Sequence, residues 1–160
     1  MAGLSSGEYP VTLDDKGRVS IPAKFREDIP ENMLVLTKGI ERCIWAHTPD
    51  QWERVSAKLR RTASMSIKKT DMVHHRFLFS TYEVEIDKAG RVALPQKLRD
   101  FAGLSRDLTV ASDGNRIEIW DTGRYEAYEK LIEERLVEVL EEMGPADLYG
   151  ENENEREKDE

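Results

Sequence analysis

Asp14 and Arg18 stand four residues apart around a glycine, in Asp14-Asp15-Lys16-Gly17-Arg18-Val19, and the pattern returns as Asp87-Lys88-Ala89-Gly90-Arg91-Val92. An Asp that opens a tight turn can accept backbone N–H bonds two or three residues on, and Gly supplies a positive φ. The same carboxylate can pair with the arginine across the turn. Two readings follow. In the first, Asp and Arg only lock the turn. In the second, the locked turn also presents Lys16 and Arg18, and Lys88 and Arg91 in the second copy, from a rigid rim. A rigid guanidinium matches two adjacent acceptors, as on the guanine edge in a major groove. Lysines suit phosphates, as does the run Lys58, Arg60, Arg61, Lys68 and Lys69, which has no acid within it.

Other chemistry finds little support. The three histidines are His47, His74 and His75, and the adjacent pair cannot place both rings on one helix face as an i, i+4 metal pair does. Asp14 and Asp15 resemble a metal pair, yet the turn explains Asp14, and Lys88 replaces Asp15 in the second copy. No Walker loop or nucleophile elbow occurs. We therefore expect no catalytic residue, no metal and no cofactor. Cys43 is the one cysteine; it cannot form an internal disulfide, suits a reducing compartment, and reads as a buried strand thiol. No run approaches the length of a membrane helix, and the N-terminus lacks a signal pattern.

The net charge of −8 argues against nucleic acid only until it is mapped. Residues 144–160 carry seven acids and two bases, and residues 122–143 seven acids and three bases. With both balances removed, residues 1–121 come to +1, so a local basic patch is compatible with the acidic total.

The elements that must position the two motifs repeat with them. At a shift of 73, positions 9–26 lie over 82–99 with nine of eighteen identical. Tyr9, Val11 and Leu13 alternate as in a half-buried strand, and Val19 and Ile21 resume after the turn, which predicts a β-hairpin. Pro22 fits the first position of a short helix over Ala23 to Asp28, with Phe25 facing the core. Strands are expected at Met33–Thr37 and Cys43–Trp45. Thr48-Pro49-Asp50-Gln51 is a capping box opening a helix with Trp52, Val55 and Leu59 on one face. A second helix within Ser64–Phe79 leads to copy two. Strands at Leu108–Val110 and Ile117–Trp120 follow, joined by Asp113-Gly114-Asn115. Trp120 follows Ile119 as Trp45 follows Ile44, and both tryptophans read as core. A long helix starts near Asp121 or Thr122, carries a wide apolar stripe from Tyr125 to Met143, and ends at Gly144-Pro145. The remaining acidic tail has nothing to bury and is expected to be disordered.

At these residues the chain resembles the MraZ family. Tyr9 to Arg26 looks like its N-terminal half, and Glu85 to Leu104 like its C-terminal half, with the Asp-x-x-x-Arg signature in both. The resemblance spans about residues 7–143. It implies an α+β fold in which duplicated β-hairpin/short-helix units form a pseudo-twofold swapped-hairpin barrel, with peripheral helices and a C-terminal helix. The halves would be 1–81, with a basic helical connector at 49–81, and 82–143, followed by the tail at 144–160. It further implies a transcriptional regulator, cytoplasmic and nucleoid-associated, that binds double-stranded DNA at tandem direct repeats upstream of the division and cell-wall gene cluster. Such proteins form homo-oligomers, commonly octameric rings. On that reading Lys16, Arg18, Lys88 and Arg91 contact DNA, and Asp14, Gly17, Asp87 and Gly90 shape the loops. The competing reading is a protein-interaction module of antitoxin type.

Overall fold

Strand β1 (Ser6–Thr12) pairs not with the strand that follows it but with one almost a hundred residues away. A computed structural model describes residues 3–61 and 66–144, and the chain divides into two units, Met1–Thr122 and Gly123–Glu160. In the first unit, β1, β2 (Arg18–Ser20), helix α1 (Ala23–Arg26), β3 (Met33–Lys38), β4 (Ile44–His47) and α2 (Pro49–Arg61) come from the first copy. Helix α3 (Ile67–Leu78) leads to β5 (Tyr82–Glu85), β6 (Arg91–Ala93), α4 (Gln96–Ala102), β7 (Asp107–Asp113) and β8 (Ile117–Asp121). The fold is mixed α+β, and every strand pair is antiparallel.

The strands form a six-stranded sheet in the order β1-β7-β8-β4-β3-β5 and a two-stranded sheet, β2-β6. With each strand exchanged for its counterpart in the other copy, the order reads the same from either end. Val19 pairs with Val92, its own equivalent 73 residues on.

The local hairpin expected over residues 9–21 is thus limited to its turn. Its arms share one bridge, Leu13 to Val19, and the bond from Asp14 N to Arg18 O (2.9 Å). Beyond that they part, β1 to β7 and β2 to β6. The exchange lets Val19 and Val92 both reach zero exposure; full burial of such a side chain is worth about 1.5–3 kcal/mol. They join a core with Phe25, Leu34, Leu36, Ile44, Leu98, Leu108, Val110, Ile117 and Ile119, all at zero exposure.

Local signals explain the helices. Thr48 Oγ1 accepts from Gln51 N (3.3 Å) and Gln51 Oε1 from Thr48 N (3.1 Å), a reciprocal capping box at the start of α2. Ser66 caps α3 by accepting from Lys69 N (3.3 Å). Helix α1 is shorter than expected: Pro22 sits at its cap, outside the first turn, and the helix ends at Arg26. Cys43 is buried beside β4, and burial pushes its thiol pKa far up, so the sulfur stays protonated. Trp120 is buried as expected. Trp45 is only half-buried: it lies outside the core cluster, and what cover it has comes from Arg116 (4.2 Å from the ring centre) and the stacked Phe77.

In the second unit the described element is helix α5, which runs Thr122–Glu142. Leu131, Ile132, Leu136, Val137, Val139 and Leu140 are all exposed on it. Residues 145–160, where the disordered tail is expected, lie outside the described residues. No helix among the described residues is long and apolar enough to cross a membrane.

Candidate nucleic-acid interface

Each Asp-x-x-Gly-Arg loop closes by the same set of bonds. Asp14 Oδ1 accepts from Lys16 N (2.9 Å) and Arg18 N (2.8 Å), while Oδ2 accepts from Arg18 Nε (2.8 Å). In the second copy Asp87 Oδ1 accepts from Ala89 N and Arg91 N (both 2.9 Å), and Oδ2 from Arg91 Nε (3.3 Å). Donation from the Arg18 and Arg91 backbone N–H groups is the main reason both carboxylates sit below their ordinary pKa. A guanidinium has five N–H donors, and the bond at Nε orients the fork.

Gly17 (φ 74°) and Gly90 (φ 80°) supply the left-handed step that the turn requires. A second reason for these glycines was not visible in the sequence. A Cβ at Gly17 would lie 2.7 Å from Arg99 Cζ, and one at Gly90 would lie 2.6 Å from Arg26 Nη1. Arg26 and Arg99 are themselves equivalents, 73 residues apart. Each copy's short helix therefore lays its arginine against the other copy's loop. Arg99 Nε also donates to Leu94 O (3.0 Å). The repeat alignment shows both arginines as identities, the one signal that could have singled them out.

Gly17→Ala is expected to destabilise the protein by about 1–2 kcal/mol through the left-handed backbone alone, and to displace Arg99 from the loop. Thermal unfolding checks this: a melting temperature equal to that of the wild type contradicts the cradle.

The β2-β6 sheet brings the loops together. Ile21 N donates to Gly90 O and Leu94 N to Gly17 O (both 2.9 Å). Arg91 Nη1 comes within 3.9 Å of Asp14 Oδ2. Arg18 and Arg91 thus lie on one small surface, with side chains 29% and 34% exposed. Lys16 and Lys88 are exposed in the loops, Lys88 one place earlier in its loop than Lys16 in its own. Lys58, Arg60 and Arg61 are exposed at the end of α2, and Lys68 and Lys69 at the start of α3. His74 Nε2 is bonded to Leu59 O (2.7 Å), and His75 stacks on Phe79. Among the described residues no group of three His, Cys, Asp or Glu side chains is placed to hold a metal ion.

A duplicated Asp-x-x-Gly-Arg loop, interleaved in this way, is accompanied by similarity along almost the whole chain. The model of a family described as "MraZ protein, putative antitoxin-like" matches residues 4–75 and 77–144. This chain belongs to the MraZ family. Among its relatives, the Transcriptional regulator MraZ of Treponema denticola is 38% identical over 139 residues, 87% of this chain and 96% of that protein. The Transcriptional regulator MraZ of Acetivibrio thermocellus is 39% identical over 143 residues, 86% and 97% respectively. Both are named as regulators, and neither name denotes an enzyme. A solved structure titled "The solution structure of PHS018 from pyrococcus horikoshii" aligns at a TM-score of 0.29 and 18% identity over 74% of this chain and 89% of that one. That likeness is too slight to argue from.

Proposed function

We propose that this MraZ family member is a transcriptional regulator, not an enzyme, that binds double-stranded DNA in a sequence-specific manner. The observation that carries the reading is the adjacency of two arginines, Arg18 and Arg91, each oriented by its own aspartate on one surface. Arg18 and Arg91 read base edges, with Lys16 and Lys88 on flanking phosphates. Asp14, Gly17, Asp87 and Gly90 hold the loops in shape. The relatives' names support the regulatory role.

The finer reading follows the family resemblance. The target is tandem direct repeats upstream of the division and cell-wall gene cluster, and the protein works in the cytoplasm at the nucleoid. The halves, 1–81 and 82–143, close into a swapped-hairpin barrel, which the exchanged β1-β7 and β2-β6 pairings support. The chain assembles as a homo-oligomer, an octameric ring, and the exposed apolar stripe on α5 offers surface for a neighbouring copy. One loop pair makes few contacts, so a ring facing repeated sites gains affinity from the raised effective concentration of each further contact.

The second reading, an antitoxin-type module for a partner protein, is favoured by that same exposed stripe and by the wording of the family description. Fluorescence anisotropy separates the two. The regulator binds the duplex from its own upstream region more tightly than a scrambled duplex, and affinity falls by tenfold or more between low and moderate salt as counterions are released. Equal affinity for both duplexes defeats the specific reading.

A further inference from the structure

Away from the reading loops, three cations surround one aromatic ring. Lys38 Nζ lies 5.3 Å from the centre of Phe101, Arg42 Cζ 4.8 Å and Arg76 Cζ 4.6 Å. They come from the end of β3, the β3–β4 turn and helix α3, around a ring on α4. Lys97, also on α4, acts on Lys38 from nearby. We propose that Lys38, Arg42, Arg76 and Lys97 form a phosphate-binding site for the DNA backbone, outside the base-reading loops and in one half of the molecule only. The proposal rests on the DNA-binding reading above.

Four cations held together repel one another unless an anion joins them. None is paired with a carboxylate among the described residues. The acids adjoining them in sequence are otherwise placed: Asp100 accepts from Gln96 Nε2 (2.7 Å), and Glu41 is exposed in the turn. Desolvation, then Lys97, Arg76 and Arg42, lowers the pKa of Lys38, the direction expected where a counter-anion is missing. Arg76 is already anchored, its Nη2 donating to Gly39 O (2.7 Å) and its Nη1 to Lys38 O (3.4 Å). The guanidiniums of Arg42 and Arg76 are further fixed by the ring. All four side chains only donate hydrogen bonds, and a phosphate only accepts them.

Position favours DNA over other anions. Arg99 packs on the Gly17 loop from the same helix that carries Lys97 and Phe101. Lys97 and Phe101 each stand two residues from Arg99 on α4, about 3 Å along the helix axis, so the cluster and the Gly17 loop flank one short helix. The duplication supplies an internal comparison. Seventy-three residues before Phe101 stands Asp28, whose carboxylate accepts from Ser5 N and Oγ (both 2.9 Å). Through the strand registers Leu36 corresponds to Val110, which puts Ser112 in the place of Lys38. The other half thus has neither the ring nor that lysine. A pseudo-twofold reader would accept DNA in two directions, and a one-sided phosphate grip selects one.

The test is the double variant Arg42→Ala/Lys97→Ala in the full chain, both positions being exposed. Thermal unfolding establishes that it is folded. Affinity for the upstream duplex and for a scrambled duplex should fall by the same factor. The slope of log affinity against log salt should shrink by about 1.8, or 0.9 for each phosphate no longer neutralised. Sequence preference should survive, unlike in an Arg18 variant. An unchanged slope, with the wild type binding normally, overturns the inference and leaves the regulator reading intact. An unchanged slope with an altered oligomeric state in light scattering also overturns it, assigning the cluster to acids of a second copy. A wild type that binds no duplex at low salt removes both readings together.

Discussion

Arg18→Ala is expected to abolish specific DNA binding while leaving the protein folded. The guanidinium removed is the one whose plane Asp14 fixes through Nε. Asp14 keeps its two backbone bonds, to Lys16 N and Arg18 N, so the loop retains its shape without the side chain. Losing one base-reading arginine costs about 1–3 kcal/mol per site, which is roughly 5- to 150-fold in affinity. On repeated sites the effect compounds, because each site held raises the local concentration of the next. The stability change should be within about 1 kcal/mol, the range for a half-exposed ion pair. Anisotropy on the upstream duplex, with a thermal melt alongside, checks both parts. Unchanged affinity refutes the role assigned to Arg18. Unfolding shows instead that its pairing with Asp14 is a structural need.

Phe25→Ala has the largest expected effect on stability. The ring is fully buried on α1 and meets Tyr9 of β1 edge-on, with centroids 5.4 Å apart. Its removal opens a cavity under both β1 and the helix that carries Arg26. Such truncations cost about 3–5 kcal/mol, a large part of the 5–15 kcal/mol that domains possess. At about 2–4 °C per kcal/mol for a chain of this size, the melting temperature should drop by about 6–20 °C. Calorimetry checks this. A drop of a degree or two would mean that the site collapses on the void and that Phe25 does not brace the loop's platform.

Features written in consecutive residues were legible from the sequence. The Asp-x-x-Gly turn, the Thr48–Gln51 capping box and the Asp113-Gly114-Asn115 turn close within four residues, so spacing alone specifies them. Partner choice between strands was not legible. Alternation in Tyr9, Val11 and Leu13 fixes which face is buried, yet says nothing of whether β2 or β7 supplies the next hydrogen bonds. Helix α1 was read two residues too long at its C-terminal end, where the chain tightens into i→i+3 bonds, Asp28 N to Phe25 O and Ile29 N to Arg26 O, and leaves the helix after Arg26. The candidate site divides in the same way. Asp14, Gly17, Arg18 and their equivalents announce themselves by repetition. Arg26 and Arg99 repeat too, but their role depends on a loop in the opposite half. The three cations around Phe101 come from the end of β3, the β3–β4 turn and α3, and form no local pattern with the ring on α4.

The exchanged pairing also has a consequence for how the chain emerges from the ribosome. Strand β1 ends at Thr12 and its partner β7 begins at Asp107. At synthesis rates of about 5–20 residues per second, the first strand waits roughly 5–20 s before its hydrogen bonds can form. Until then Tyr9, Val11 and an open strand edge stay available to other chains. Folding half by half is closed to this topology, so high contact order and slow nucleation are inherent in it. The interval in which the nascent chain needs protection ends only when the second copy has been made.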